Sequence, residues 1–183
     1  ALTSLFLAAG HPHLIHSMVL AEPPAVSLLA HLPGPRADIG IETLRDIRAN
    51  LVPPLTAAFR AGDREGGIRH FLAYMLGDAD AWDRLSARSK AETLRNAGEW
   101  DVILTRGVLF PQIAPPTIRG IVAPTRLLSG EKSTRFLGLI DAELAALLPN
   151  SRRIVLAGAT HQMWYDQPET CRAIALDLFQ RSH

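Results

Sequence analysis

Two side chains at the ends of apolar runs have the chemistry for proton transfer. A strand-like run, Ile154-Val155-Leu156-Ala157, breaks at Gly158 and leads into a loop carrying His161, with a helix start close behind. An imidazole titrates near working pH, so a histidine there suits a general base or acid. It also suits a plain role, as a polar residue closing a strand. Glu22 ends a second apolar run, "SMVLA", just before Pro23 and Pro24. Its alternative role is to open the segment that follows. His11, His13 and His16 cluster near the amino end, but Pro12 breaks the helix between them. Their spacing matches no helical pair of metal ligands, and they read as surface turn histidines. Cys171, the sole cysteine, lies on a helical pattern with no base beside it in sequence, which argues against a nucleophile.

These groups depend on the elements that carry them. Residues 1–9 read as a helix apolar almost all round, ended by Gly10 and Pro12. Such a helix is normally covered on every side. A short buried strand centred on 17–20 follows, and Pro23-Pro24 break it. From about Pro35 to Gln112 the pattern turns to short helices, with Ile41, Leu44, Ile47 and Leu51 in one stripe and Ile68, Phe71, Leu72 and Met75 in another. Strand signals return in "VAPTRLLSGEKS", followed by a helix over 134–148 and the strand "RRIVLA". The last helix is expected to start at Asp166, with Asp166 and Glu169 as a capping box. Alternating strands and helices imply a parallel sheet covered by helices, an α/β fold with an all-helical insert. In such sheets functional groups gather at the carboxyl ends of the strands, which places Glu22 and His161 on one edge.

The bulk composition narrows the function. A chain of 183 residues with 48% apolar residues can fold around a real core. Nineteen basic and 18 acidic residues leave a net charge of +1, and the arginines form no basic block. Neither nucleic acid nor an anionic membrane is an expected partner. One cysteine allows no disulfide framework and fits a reducing, cytoplasmic setting. No apolar run approaches the roughly 20 residues of a membrane span.

The ends of the chain resemble the α/β-hydrolase family. "FLAAGHPHLIHSMVLAEPP" looks like the helix, His-Pro turn and strand that follow the nucleophile elbow. "PTRLLSGEKS" resembles the next core strand, and "IVLAGATHQMWYDQPETCRAIALDLF" the last strand, histidine loop and final helix. The resemblance divides the chain into core (1–34), helical cap insert (35–120) and core again (121–183). It implies a partial fold, because the Gly-x-Ser-x-Gly elbow does not occur in this sequence. The expectation is an N-terminally truncated hydrolase whose nucleophile precedes Ala1 and which is inactive alone.

The resemblance also assigns roles. His161 matches the family's catalytic histidine. Most relatives place an aspartate in the turn that here reads Gly130-Glu131-Lys132-Ser133, so Ser133 stands where the acid is expected. Glu131 is one substitute. Glu22 is preferred, because some family members carry the acid at the end of that strand. The implied activity is cofactor-free hydrolysis of an ester or related acyl compound, a small-molecule substrate, with no metal. Dehalogenases, C–C hydrolases and lyases share the fold, and a non-catalytic binding protein is the rival from another class. Trp82, Trp100, Phe71, Tyr74 and Met75 either line an acyl pocket or pack the insert's helices together. Met163 and Trp164, right after the histidine, either touch substrate or pack the following helix against the core.

Overall fold

The computed structural model describes residues 1–105 and 109–181. Three parallel strands, β1 (Met18–Ala21), β2 (Thr125–Gly130) and β3 (Ser151–Leu156), form a sheet in the order β1-β2-β3. Ala21 pairs with Leu128, and Gly130 with Leu156. All three strands therefore end on one edge.

The chain divides into two compact units. One comprises Ala1–Ile41 with the described residues from Gln112 onward, and the other the described residues of Glu42–Pro111. The helical unit is shorter at both ends than the expected 35–120. The first turns of α2 (Arg36–Asp46) and all of α7 (Pro115–Arg119) belong with the sheet. Gly40 explains the first of these, since its α-carbon lies so close to the Leu29 carbonyl that a β-carbon would sit 2.1 Å from that oxygen. Ile118 in α7 is fully buried.

In the sheet unit, α1 (Leu2–Gly10) buries Leu5 and Ala8 but leaves Phe6 and Leu7 exposed. The helix is thus covered on one face, not on every side as its composition predicts. On α8 (Arg135–Leu147), Leu137, Ile140 and Leu144 are fully buried. Leu128, Leu156, Ala159, Met163 and Cys171 form a second apolar cluster, joined by Ile154 and Ile174. Each fully buried leucine or isoleucine of this kind contributes about 1.5–3 kcal/mol.

The helical unit holds α3 (Val52–Arg60), α4 (Arg64–Leu76), α5 (Ala87–Arg95) and α6 (Ala97–Thr105). The Asp63 carboxylate caps α4 by accepting from the Gly66 N–H, and left-handed Gly77 ends it. Ile47–Leu51 winds as a π-turn between α2 and α3. The cause is local. Pro53 and Pro54 have no N–H to give the carbonyls of Ala49 and Asn50. The Asn50 carbonyl instead lies 2.9 Å from His70 Nε2. Leu55, Phe59, Ile68, Trp82 and Ala97 form the core here.

After β3 the structure departs from expectation. The final helix, α10 (Pro168–Arg181), begins beyond a short helix, α9 (Met163–Asp166). Asp166 does not cap it. Its carboxylate turns back and accepts from the Thr160 N–H and hydroxyl, both at 2.7 Å. Thr160 offers two donors at once, which outcompetes the helix terminus. Glu169 pairs with Arg172 instead of completing a box.

Candidate functional site

Glu22 is the first residue past β1 and the one non-glycine residue with positive φ (42°) among the described residues. Its N–H still donates to the Leu128 carbonyl, extending the β1–β2 ladder by one bond. The chain then turns sharply into Pro23. A left-handed glutamate costs about 1–3 kcal/mol and persists where its surroundings fix it. Here its side chain is fully buried and three donors converge on it. Oε1 accepts from the Gly130 N–H at 2.8 Å. Oε2 accepts from the Ser133 hydroxyl at 2.9 Å and lies 2.7 Å from His161 Nδ1.

Both elements that bring His161 there are short and pinned. Gly158 ends β3 with φ of 72° and gives its N–H to Glu131 Oε2 at 2.7 Å. The clasp between Thr160 and Asp166 fixes the next step of the loop. The Gln167 side chain donates to the Ala157 carbonyl, closing the loop from behind. The turns after β2 and β3 also approach very closely. A β-carbon on Gly130 would sit 2.5 Å from the Thr160 carbonyl and 2.6 Å from Ser133 Oγ. Only glycine fits at that crossing.

With Nδ1 facing a carboxylate, the imidazole carries its proton on Nδ1 and keeps the Nε2 lone pair for another group. The side chain is one-third exposed, so the ring borders solvent. A buried carboxylate that orients an imidazole in this way equips the imidazole as a general base.

Of the residues singled out by sequence, Glu22 and His161 are brought together, and Ser133 joins them as a donor to the carboxylate. Glu131 is not their partner; it accepts from Gly158 across the two turns. His11, His13 and His16 are exposed, with the His11 and His13 rings edge to face at 6.2 Å. No group of three metal-ligating side chains forms among the described residues. Cys171 is buried, its thiol pointing to the Met163 carbonyl, and burial pushes its pKa up, which makes it a poor nucleophile. Met163 is fully buried, while Trp164 is exposed. In the helical unit, Trp82 is buried and donates to Glu65, and Phe71 meets Trp100 edge to face with ring centroids 4.6 Å apart. Those aromatics pack the unit's own helices.

One buried group escaped sequence reading. Asp141, on α8, is fully buried, and its Oδ2 accepts from the Ser129 hydroxyl at 2.5 Å. Its pKa is pushed up to about 7, by burial first and then by the charge of Glu22, against the Ser129 hydrogen bond, Arg153 and His161. The unfolded chain holds this proton only below about 4. The native state therefore binds it more tightly. Its stabilising contribution is full below about pH 4 and is lost as pH rises to about 7. Asp141→Asn, fixed in the neutral form, should thus gain stability over the parent at pH 8, by roughly a few kcal/mol. The gain should shrink at pH 5. Denaturant midpoints at the two values measure it, and an equal difference at both would refute the titration.

Among solved structures the chain is similar to a probable hydrolytic enzyme from Pseudomonas aeruginosa PAO1, with TM-score 0.55 and 20% identity over 96% of this chain. It is also similar to proline iminopeptidase from Mycobacterium smegmatis (TM-score 0.54, 16% identity, 97% of this chain). An α/β-hydrolase from Sphaerobacter thermophilus matches at TM-score 0.51 and 22% identity over 86% of this chain. No protein-family model and no curated protein matches the sequence. The chain spans 59%, 61% and 56% of those three structures, respectively. With its parallel sheet, its helical insert between β1 and β2 and its histidine loop after β3, the chain carries part of the α/β-hydrolase fold.

Proposed function

We propose that Glu22 and His161 are the acid and base of a serine hydrolase acting on an ester or related acyl substrate. The observation that carries this reading is the 2.7 Å approach of His161 Nδ1 to a fully buried carboxylate that backbone and hydroxyl donors already hold in place. A structural histidine closing a strand needs neither the buried acid nor its strained backbone. In this reading the serine belongs to a segment preceding Ala1 in a longer chain, as do the oxyanion donors. The partial coverage of the similar structures and the exposed Phe6 and Leu7 on α1 support that. Glu42–Pro111 takes the place of the family's cap insert.

The serine Oγ attacks the substrate's carbonyl carbon while its proton passes to His161 Nε2. Glu22 holds the imidazole orientation and stabilises the imidazolium that forms. The tetrahedral intermediate collapses, the carbonyl carbon–oxygen bond to the alcohol breaks, and the imidazolium returns the proton to the departing alkoxide. Water then repeats the sequence on the acyl-enzyme and releases the acid.

The test is a fluorophosphonate probe on a chain extended upstream in its reading frame. One serine, within Gly-x-Ser-x-Gly, should be labelled, and short acyl esters should compete with the label. An extended chain with neither label nor turnover overturns the serine-hydrolase reading. An aspartate at the elbow would move it to dehalogenase chemistry.

A further inference from the structure

Behind the Glu22–His161 pair lies a polar chain that the reaction does not use. Arg153 Nε, from β3, donates to Ser129 Oγ at 2.9 Å, and Ser129 in turn donates to Asp141 on α8. Asp141 Oδ1 is buried with no hydrogen-bond partner among the described residues. Leaving such an oxygen unpaired costs on the order of 1–3 kcal/mol, and an apolar pair at 129 and 141 would avoid that cost. The network therefore contributes something other than stability. Its position shows what. Ser129 immediately precedes Gly130, and the two share one peptide plane. The N–H of that plane is the donor to Glu22 Oε1.

We propose that Asp141 is a positioning residue for the Glu22–His161 pair: through Ser129 it fixes the rotation of the 129–130 peptide and so aims the Gly130 N–H at Glu22. Arg153 ties the same hydroxyl to β3, the strand that leads to His161, so one serine registers both strand ends. A serine hydroxyl has a single proton, and Asp141 takes it; that leaves the oxygen's lone pair for Arg153, which fixes the rotamer of Ser129. Without Asp141 the hydroxyl is free to rotate and the peptide plane loses its anchor. The charged groups that act on Asp141 are Glu22 past β1, Arg153 on β3 and His161 on the loop after β3. His31 and Arg119, from the other elements packed on α8, are exposed. This role rests on the catalytic reading of the pair, but its geometry can be observed without turnover.

The experiment is hydrogen exchange and imidazole 15N NMR on the 183-residue chain, comparing Asp141→Ala, Asp141→Asn and Ser129→Ala. In Asp141→Ala and Ser129→Ala the Gly130 amide should exchange about tenfold faster or more, and the His161 Nδ1–H signal should move upfield. The amides of Leu127 and Leu144 should keep their parent rates. Asparagine still accepts from the Ser129 hydroxyl, so Asp141→Asn should restore both signals to near parent values. If Gly130 and the core amides speed up together, or if Gly130 is unmoved in Ser129→Ala, the positioning role is wrong. Should Asp141→Ala fail to fold, Ser129→Ala and Asp141→Asn carry the same two outcomes. A failed catalytic reading would appear in the fluorophosphonate assay instead, while the changes expected in these signals would still be seen.

Discussion

His161→Ala, in a chain extended upstream to include the proposed serine, should lose on the order of 10⁴-fold or more in kcat on short acyl esters while keeping its fold. The rate loss corresponds to roughly 5.5 kcal/mol of transition-state stabilisation. The structure gives the reason for both halves of the expectation. Among the described residues, proton transfer through Nε2 has no substitute nearby, because Glu131 is committed to Gly158 and Ser133 to Glu22. The imidazole itself is one-third exposed and is tied to Glu22 by a hydrogen bond, so its removal opens no large cavity. Glu22 would still accept from Gly130 and Ser133. Circular dichroism and the thermal midpoint should therefore stay close to the parent. Near-normal turnover in the variant would end the general-base role. His11→Ala and His13→Ala, on exposed turns, should leave kcat within about twofold, as surface substitutions away from a site do.

The strands, the histidine loop and the partnership of Glu22 with His161 were legible because each rests on local pattern and on the rule that strands of a parallel sheet end together. Three features were not. The left-handed backbone of Glu22 is imposed by contacts from residues more than 100 positions away, Gly130 and Ser133, which no local preference encodes. The spacing of Asp166 and Glu169 reads as a capping box because the competing donor, Thr160, lies upstream in what looks like an ordinary loop. Asp141 sits in a helix whose apolar stripe hides it, and only the sheet's register reveals Ser129 and Arg153 as its neighbours. The polar chain had one sequence signal, a serine directly after the Leu127-Leu128 pair of β2.

Glu22→Gln in the same extended chain should cost several orders of magnitude in kcat, approaching the loss at His161. The side chains are nearly the same size, so the effect isolates charge and hydrogen-bond polarity. Glutamate offers acceptors to three donors, the Gly130 N–H, the Ser133 hydroxyl and His161 Nδ1–H. Glutamine has one acceptor oxygen. If that oxygen keeps the Gly130 N–H, which cannot rotate away, the amide NH₂ faces His161. Nδ1 must then accept, the ring proton moves to Nε2, and no lone pair remains for the serine's proton. The opposite amide orientation sets NH₂ against the Gly130 N–H, two donors in a buried site. The variant thus holds the imidazole in place but in the wrong tautomer. Ser133 supplies the control. Its hydroxyl lies within 2.9 Å of the oxygen that His161 uses, so Ser133→Asp sets a carboxylate in the same neighbourhood. Combined with Glu22→Gln, it should recover roughly ten- to a hundredfold of the lost rate, since a charged acceptor again favours the Nδ1–H tautomer and the imidazolium. The pre-steady-state burst distinguishes the explanations, because a tautomer defect slows acylation without changing the number of labelled serines. Should Glu22→Gln remain active while Glu131→Gln is dead, the acid belongs to the turn after β2.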